Sequence, residues 1–336
     1  MWKNIRKILK CLLILLPTGI LSGNIINQIY RLLARPKLQN AYGQAVTVDG
    51  KSMRVDVKGD EGKPVIVLLA GLGCASPVLE LEPLSASLSQ DYRVVTIEPF
   101  GYGLSDSTDK DRTIANVVSE LHACVETLGY GEYYLMGHSL GGLYSLYWAN
   151  EYPQEVKGYI GIDPSVPGMN DKQPFPLSIT TINKLSAYLT KAMNAVGLNR
   201  LLSANHPEKA INADTSYPYT DRELEVFRIL SLDNAYNGTV MNEMNHLDEN
   251  VEATRGMRFP DHIAVLEFVS GSNCELLSTW EQLHRDVLPE NGRGEVVRLE
   301  GSHYLHFEHL EQIVEYVKDW VIQPSFSDCR HRHIPV

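Results

Sequence analysis

Two kinds of apolar pattern alternate along the first half of this sequence. Residues 65–69 form a continuous apolar run, which is typical of a strand buried on both faces, and residues 92–97 and 156–162 also have strand patterns. Helical spacing of apolar residues lies between these strands, at residues 78–88 and 113–128. Strands that alternate with helices in this way predict an α/β fold, with a mostly parallel sheet and helices on both of its faces.

A further strand pattern at residues 133–136 runs into a helical pattern at residues 143–149 with no loop between them. The joining residues read Gly-His-Ser-Leu-Gly, with Ser139 at the centre. In the G-x-S-x-G pattern the serine lies on a tight strand-to-helix turn, which presents its hydroxyl above the sheet. The order of strand, turn and helix indicates that Ser139 is a nucleophile. A glycine-rich turn at a helix N-terminus is the purely structural alternative.

The alternation stops between residues 165 and 258. Helical stretches occur there, for example at residues 179–196 and 222–234, but no buried strand pattern does. Strand patterns then resume at residues 262–269 and 295–299. A block of helices inserted between two strands of one sheet predicts a helical lid over the carboxyl edge of the sheet.

The N-terminal region has a different composition from the rest. Basic residues between positions 3 and 10 precede an apolar run at residues 11–21, and extending that run to Tyr30 gives the length of a membrane span. No cleavage site follows closely. The pattern predicts an uncleaved N-terminal anchor, with its basic end cytoplasmic and the catalytic domain extracytoplasmic. A cleaved signal peptide is one alternative. An amphipathic helix lying on a membrane, or on the body of the protein itself, is the other.

These patterns divide the chain into five predicted segments. They are a membrane anchor and linker (1–37), the first part of the α/β core (38–164), the helical lid (165–258), the second part of the core (259–323) and a tail (324–336).

Composition excludes several classes of protein. The chain is 44% hydrophobic and 21% charged, as ordinary globular proteins are. Its formal net charge of −11 argues against a nucleic-acid partner, because phosphate binding needs clustered Lys and Arg. The 5 cysteines are scattered and include no C-x-x-C pair, so neither a disulfide framework nor a patterned zinc site is predicted. We expect no cofactor and no metal. Nothing in the sequence predicts an oligomeric state.

Three motifs make the chain similar to the α/β-hydrolase fold family over residues 43–322. They are Leu-Ala-Gly-Leu-Gly at 69–73, Gly-His-Ser-Leu-Gly at 137–141 and Gly-Ser-His at 301–303. The loop at residues 101–106, Gly-Tyr-Gly-Leu-Ser-Asp, also resembles a segment of that family. Together the motifs are specific to the fold, and they do not specify a substrate.

The resemblance implies a Ser-acid-His order along the chain, with Ser139 as the nucleophile and His303 as the base. His306 and His309 are rivals for the base. Both fall where the last helix begins, and we interpret them as satisfied polar residues. His138 is interpreted as structural.

The resemblance also implies an oxyanion hole made of two backbone N–H groups. One belongs to Leu140, the residue after the nucleophile. The other belongs to Leu72, in the turn after the strand at residues 65–69. Ala70 replaces the family's more usual histidine in that turn. The change leaves the hole intact because the donors are backbone groups.

The triad acid is where the sequence departs from the family pattern. The usual position follows the strand at residues 262–269, but the chain has Gly-Ser-Asn-Cys-Glu there, without an aspartate. Some family members carry the acid at the end of the strand that follows the helix after the nucleophile, and that position is Asp163 here. We favour Asp163, with Glu275 as the alternative acid and Asn273 as a possible neutral orienter. The structural alternative for Asp163 is a residue that caps the turn before the lid.

A serine nucleophile predicts acyl transfer, with water as the default acceptor and a small-molecule acyl substrate. A carboxylic ester is the leading substrate class, as for a carboxylesterase or lipase. Amide or peptide hydrolysis of the aminopeptidase kind and acyl transfer to another alcohol are the alternatives within the same mechanism. A catalytically inactive binding module of the same fold is the alternative from a different class. The chain retains Ser139, His303 and the turn that carries Leu72, and this argues against an inactive module.

Overall fold

The computed structural model describes residues 2–171, 179–214 and 216–322. The predicted tail at 324–336 therefore lies outside the described residues.

An eight-stranded sheet forms the centre of the molecule, with the strand order β1-β2-β4-β3-β5-β6-β7-β8. Strand β2 is antiparallel to its neighbours β1 and β4, and the remaining pairs are parallel. The predicted fold class, a mostly parallel α/β sheet, is confirmed. The strands are β1 (Gln44–Val48), β2 (Lys51–Lys58), β3 (Val65–Leu69), β4 (Arg93–Glu98), β5 (Tyr133–His138), β6 (Val156–Ile162), β7 (Ala264–Ser270) and β8 (Gly294–Leu299).

Helices cover both faces of this sheet. In chain order the helices among the described residues are α1 (Trp2–Leu38), α2 (Pro77–Glu80), α3 (Glu82–Leu88), α4 (Ile114–Thr127), α5 (Leu140–Glu151), α6 (Ile179–Ala195), α7 (Leu198–Leu202), α8 (Asp221–Asp233), α9 (Gly238–Ala253), α10 (Gly271–Leu276), α11 (Trp280–Asp286), α12 (Leu305–Glu308) and α13 (Leu310–Ile322). A 3-10 turn at Pro207–Ala210 joins α7 to the segment before α8.

Alternate residues of each central strand belong to two separate cores. Val67 of β3 packs in the core that contains α4 and α5, whereas Ile66 packs in the core that contains α3 and α13. Successive side chains of a strand point to opposite faces of the sheet, so a strand buried on both faces must be apolar throughout. This requirement explains the continuous apolar run that predicted β3.

The register of the parallel strands brings three loops to one edge of the sheet. Leu69 at the end of β3 pairs with Gly137 of β5, and His138 at the end of β5 pairs with Ile162 at the end of β6. Ile162 in turn pairs with Phe268 of β7. The turn after β3, Ser139 after β5 and Asp163 after β6 therefore lie side by side.

Helices α6 to α9 lie between β6 and β7, where the alternating pattern is lost. Within residues 165–258, leaving out 172–178 and 215, the structure contains no strand. Side chains fix the starts of two of these helices. Thr220 forms a capping box with Glu223 at α8, and Asn237 accepts hydrogen bonds from two backbone N–H groups at the start of α9. The predicted domain boundaries and the lid role stay predictions.

The predicted membrane anchor is wrong. Among the residues that the structure describes, no helix is long and apolar enough to cross a membrane. The polar residues that interrupt the apolar run instead join α1 to the inserted helices. Asn24 and Asn27 donate to the carbonyl oxygens of Ala195 (2.8 Å) and Asn194 (2.7 Å) at the end of α6. The predictions of a membrane partner and of a membrane-anchored, extracytoplasmic enzyme lose their basis with the anchor.

Candidate active site

Ser139 lies between the last residue of β5 and the first residue of α5, in a strained conformation. Its φ is 52° and its ψ is −124°, a backbone region that non-glycine residues rarely adopt. The Ser139 carbonyl accepts hydrogen bonds from the N–H groups of Gly142 (2.9 Å) and Ser165 (2.7 Å). A Cβ added to Gly137 would lie 2.6 Å from Gly141, so the turn needs glycine there. The surrounding backbone holds Ser139 in this conformation.

His303 and Asp163 form a short hydrogen bond. The distance from His303 Nδ1 to Asp163 Oδ2 is 2.6 Å. His303 follows β8 and Asp163 follows β6, so the two residues are far apart in the chain and meet at the carboxyl edge of the sheet. The Asp163 carboxylate is fully buried.

Four further groups donate to the same carboxylate. Asp163 Oδ1 accepts from the backbone N–H of Ser270 (2.9 Å) and from the indole N–H of Trp280 (3.0 Å). Asp163 Oδ2 accepts from the hydroxyl of Ser270 (2.8 Å) and from the amide of Asn273 (2.6 Å). We call Asp163, Ser270, Asn273 and Trp280 the acid cluster.

These contacts decide the charge of the carboxylate. Burial alone would raise the pKa of Asp163. The hydrogen bond and charge of His303, the Ser270 N–H and the Trp280 indole outweigh burial and hold this pKa below its usual value. Asp163 is therefore ionised at neutral pH and can stabilise a positive charge on His303.

The other candidates for the acid occupy different positions. Glu275 is exposed on α10, and within the described part of the chain it forms no hydrogen bond or ion pair with His303. Asn273 lies close to the pair, with its amide nitrogen 3.5 Å from His303 Nδ1, but its amide is bonded to Asp163. The geometry thus brings Asp163 and Asn273 to His303 and leaves Glu275 in solvent.

Leu72 and Leu140 line the same cavity as Ser139. Leu140 is the first residue of α5, so its N–H is one of the amides at the helix start that have no intrahelical partner. The turn that carries Leu72 passes very close to the serine: a Cβ added to Gly71 would lie 2.7 Å from Ser139 Cβ. Only glycine at position 71 permits this approach.

Two cavities meet at Ser139 and His303, and Asn183 of α6 lines both. The first has a volume of about 390 Å³ and a mainly apolar wall, which includes Leu140, Met169, Ile182, Leu247, Leu277 and Trp280. The second has a volume of about 470 Å³ and a more polar wall, which includes Glu80, His138, Asn212, Thr190, Tyr236 and Tyr304. Apolar and polar groups are thus separated on the two sides of the serine.

Comparison with known proteins agrees with this architecture. Residues 64–203 match the family described as "alpha/beta hydrolase fold". The solved structure of epoxide hydrolase VrEH1 from Vigna radiata is 21% identical, with a TM-score of 0.58 over 83% of this chain and 97% of that one. The enol-lactonase from Burkholderia xenovorans LB400 is 17% identical, with a TM-score of 0.54 over 83% of this chain and 100% of that one. This is the α/β-hydrolase fold.

A relative is also similar over nearly its full length. The uncharacterized protein YbdG of Bacillus subtilis (strain 168) is 26% identical over 320 residues, which cover 93% of this chain and 96% of that protein. The similarity extends beyond the α/β-hydrolase core to almost the whole chain.

His138 and His306 are both buried near the carboxyl edge of the sheet in this α/β-hydrolase fold. His138 Nε2 donates to the carbonyl oxygen of His303 at 3.1 Å, which helps to hold the loop that carries His303. His306 differs from its predicted role as a satisfied polar residue. Among the described residues neither of its ring nitrogens has a hydrogen-bond partner. His309 is half-buried, and its Nε2 lies 2.6 Å from the Glu300 carbonyl oxygen.

Sequence reasoning missed two members of the acid cluster. Ser270 ends β7 and caps α10 through the Asn273 N–H, so its position at a strand end was a usable signal. Trp280 begins α11 at 117 positions from Asp163 in the chain, and no local pattern points to their contact.

Proposed function

We propose that this protein is a serine hydrolase that transfers an acyl group to water through Ser139, His303 and Asp163, acting on a carboxylic ester. The observation that carries the proposal is the 2.6 Å hydrogen bond between His303 Nδ1 and the ionised carboxylate of Asp163, beside the strained Ser139. A base oriented by a third group next to a serine is the arrangement that activates a hydroxyl for attack.

In the proposed first half-reaction, Ser139 Oγ attacks the carbonyl carbon of the ester while His303 Nε2 takes the hydroxyl proton. The carbonyl oxygen becomes an oxyanion, which the N–H groups of Leu72 and Leu140 stabilise. The oxyanion then collapses, the bond to the leaving alcohol breaks, and His303 gives its proton to that alcohol. The product is an acyl-enzyme on Ser139.

In the second half-reaction, His303 takes a proton from water, and the water oxygen attacks the acyl carbon. Collapse of the second oxyanion breaks the bond to Ser139 Oγ, and His303 returns its proton to the serine. Asp163 keeps its negative charge throughout and stabilises the imidazolium form of His303.

The apolar cavity supports an acyl group of hydrocarbon character. Its wall consists mainly of Leu, Met, Ile and Trp side chains, which favour removal of apolar surface from water. A similar fold is found in a protein whose name, enol-lactonase, denotes action on a cyclic ester. The second, more polar cavity is then available for the alcohol portion.

A fluorophosphonate probe tests the nucleophile. We expect covalent labelling of the wild type and of Ser89→Ala, and no labelling of Ser139→Ala. Ser89 directly follows α3 and lines neither cavity, so it is the matched control. Labelling of Ser139→Ala at the wild-type level would contradict the assignment. An unlabelled wild type would favour the inactive binding module.

Substrate class is tested with p-nitrophenyl esters of increasing acyl length, beside aminoacyl p-nitroanilides. We expect hydrolysis of the esters, with a maximum at an intermediate chain length that fills the apolar cavity. Turnover of the anilides alone would favour the peptide-hydrolase alternative.

A further inference from the structure

Three potential metal ligands meet near the polar cavity that Ser139 lines. Glu80 is the last residue of α2, His138 is the last residue of β5, and His306 belongs to α12. Each is at most 3% exposed, and their potential ligand atoms all lie within 4.8 Å of one another. We call these three residues the histidine cluster. Because they come from three separate segments, no spacing pattern in the sequence indicated them.

Ring nitrogens of this cluster are buried without partners. Among the described residues, His138 Nδ1 and both ring nitrogens of His306 have no hydrogen-bond partner. Folded proteins pair the large majority of their buried polar atoms, because an unpaired one loses its hydration without compensation. One further group beside the buried Glu80 carboxylate could pair with two of these nitrogens, one from each ring.

The protonation states of the two histidine rings and of the Glu80 carboxylate are compatible with a bound cation. Burial lowers the pKa of His138 well below its ordinary value and that of His306 to about 3, so both rings are neutral and offer a lone pair. Neutral imidazole is the form that binds metal ions. Burial raises the pKa of Glu80 to about 7, and a nearby cation would favour its charged form.

Two supporting hydrogen bonds already orient two of the three ligands. The His138 Nε2 donates to the His303 carbonyl oxygen at 3.1 Å, which leaves Nδ1 as the atom with the free lone pair. Asn212 donates to Glu80 Oε2 at 3.1 Å. Histidine ligands in metal sites typically donate their other ring N–H to a backbone carbonyl or carboxylate in this way.

We propose that Glu80, His138 and His306 bind one Zn²⁺ ion. Two histidines and a carboxylate are a common ligand set for zinc, at bond lengths of about 2.0–2.2 Å. Such bonds need the ligand atoms to approach to roughly 3.4 Å of one another, which rotation of the side chains can provide. Glu80 and His138 line the polar cavity, so that cavity is the entry path and leaves one coordination position open.

A bound ion would join the three segments that carry the candidate site. Glu80 follows the turn with Leu72, His138 immediately precedes Ser139, and His306 lies three residues after His303. The proposed role of the ion is therefore to hold these segments in a fixed relation. This inference does not depend on the proposed reaction, since an inactive protein with the same fold would bind the ion equally well.

The test uses the full chain, stripped with a chelator, incubated with ZnSO₄ and desalted, with retained zinc measured by mass spectrometry. We expect one zinc per chain in the wild type. His306→Gln and Glu80→Gln should weaken zinc binding by at least about tenfold in a competition assay with a chromophoric chelator. Two controls should retain one zinc: His309→Gln, which changes the next histidine along the same segment, and His331→Ala/His333→Ala, which removes histidines of the tail. Circular dichroism checks the fold of each variant.

Absence of zinc from the wild type would overturn the proposal, as would loss of zinc only in the tail variant, which would mean an adventitious ion only. A further measurement keeps the test decisive if the cluster variants fail to fold. The wild type loaded with Co²⁺ should give the intense visible absorption of a four- or five-coordinate site. The weak spectrum of hydrated Co²⁺ would also overturn the proposal.

Discussion

The acid cluster borders the apolar cavity at Ser139 and the histidine cluster borders the polar one, and the two clusters differ in how their polar atoms are paired. Asp163 accepts hydrogen bonds from five donors and has a lowered pKa. In the histidine cluster three ring nitrogens have no partner among the described residues. Burial by itself raises the pKa of both carboxylates, Asp163 and Glu80. The hydrogen bonds to Asp163 outweigh that effect, whereas those to Glu80 do not, so only the pKa of Asp163 is lowered. The acid cluster is complete as folded, whereas the histidine cluster needs a ligand.

The largest effect is expected from Asp163→Asn. The neutral side chain cannot stabilise a positive charge on His303, and it also changes the tautomer that His303 presents. We expect the turnover number for p-nitrophenyl esters to fall by about ten-thousand-fold. Glu275→Gln is the matched control and should change turnover little, because Glu275 is exposed on α10. The reverse order of the two variants would transfer the acid role to Glu275.

A smaller effect is expected from Ser270→Ala. The substitution removes the hydroxyl that donates to Asp163 Oδ2 and that accepts from the Asn273 N–H at the start of α10. Loss of a hydrogen bond to a buried charge should lower the free energy of unfolding by about 1.5–3 kcal/mol. Urea unfolding measures this, with the exposed Ser272→Ala as the control. Equal stabilities for the two variants would show that the donors around Asp163 are redundant.

Acid should reveal the lowered pKa of Asp163. The folded-state pKa lies below the unfolded value of about 3.9, so the contribution of Asp163 to stability is complete above that pH. The contribution is lost as the pH falls through the folded pKa, where both states become protonated. We expect the difference in unfolding free energy between wild type and Asp163→Asn to shrink as the pH is lowered from 6 towards 2. A difference that stays constant would mean that the pKa is not lowered.

The smallest effect is expected from His306→Leu in zinc-free protein. The substitution removes two unpaired nitrogens from a buried position and supplies an apolar side chain of similar volume. We expect the unfolding free energy to change by less than about 1 kcal/mol, in either direction. A larger loss in zinc-free protein would mean that the ring nitrogens are paired through an ordered water.

Regions whose local pattern reflects burial were predicted well from the sequence. Strand β3 was expected over residues 65–69 and β6 over residues 156–162, and the structure gives the same bounds. Each strand lies in the interior of the sheet and is largely buried on both faces, so its sequence is mainly apolar with clear ends. The strand, turn and helix around Ser139 were equally readable because all three are continuous in the chain.

Predictions from the sequence failed, or could not be made, where the structure depends on contacts between residues that are far apart in the chain. The apolar run near the N-terminus fits a membrane as well as a protein surface, and the asparagines that bond to α6 decide between them only in three dimensions. Helix α10 was missed because a short helix capped by Ser270 has no extended apolar period. Asp163 could be proposed from its strand end, but the contact with Trp280 could not.

Helix α1 caps the C-terminal end of α6 through side-chain hydrogen bonds. Carbonyl groups in the last turn of any helix lack intrahelical donors, and Asn24 and Asn27 supply donors to two of them. Helix α6 also carries Asn183, which lines both cavities beside Ser139. The N-terminal helix thus acts as a C-cap in trans. In a chain shortened to begin at the sheet, α6 would lose these bonds and fray from its C-terminal end. Fraying would then extend towards Asn183 and the walls of both cavities.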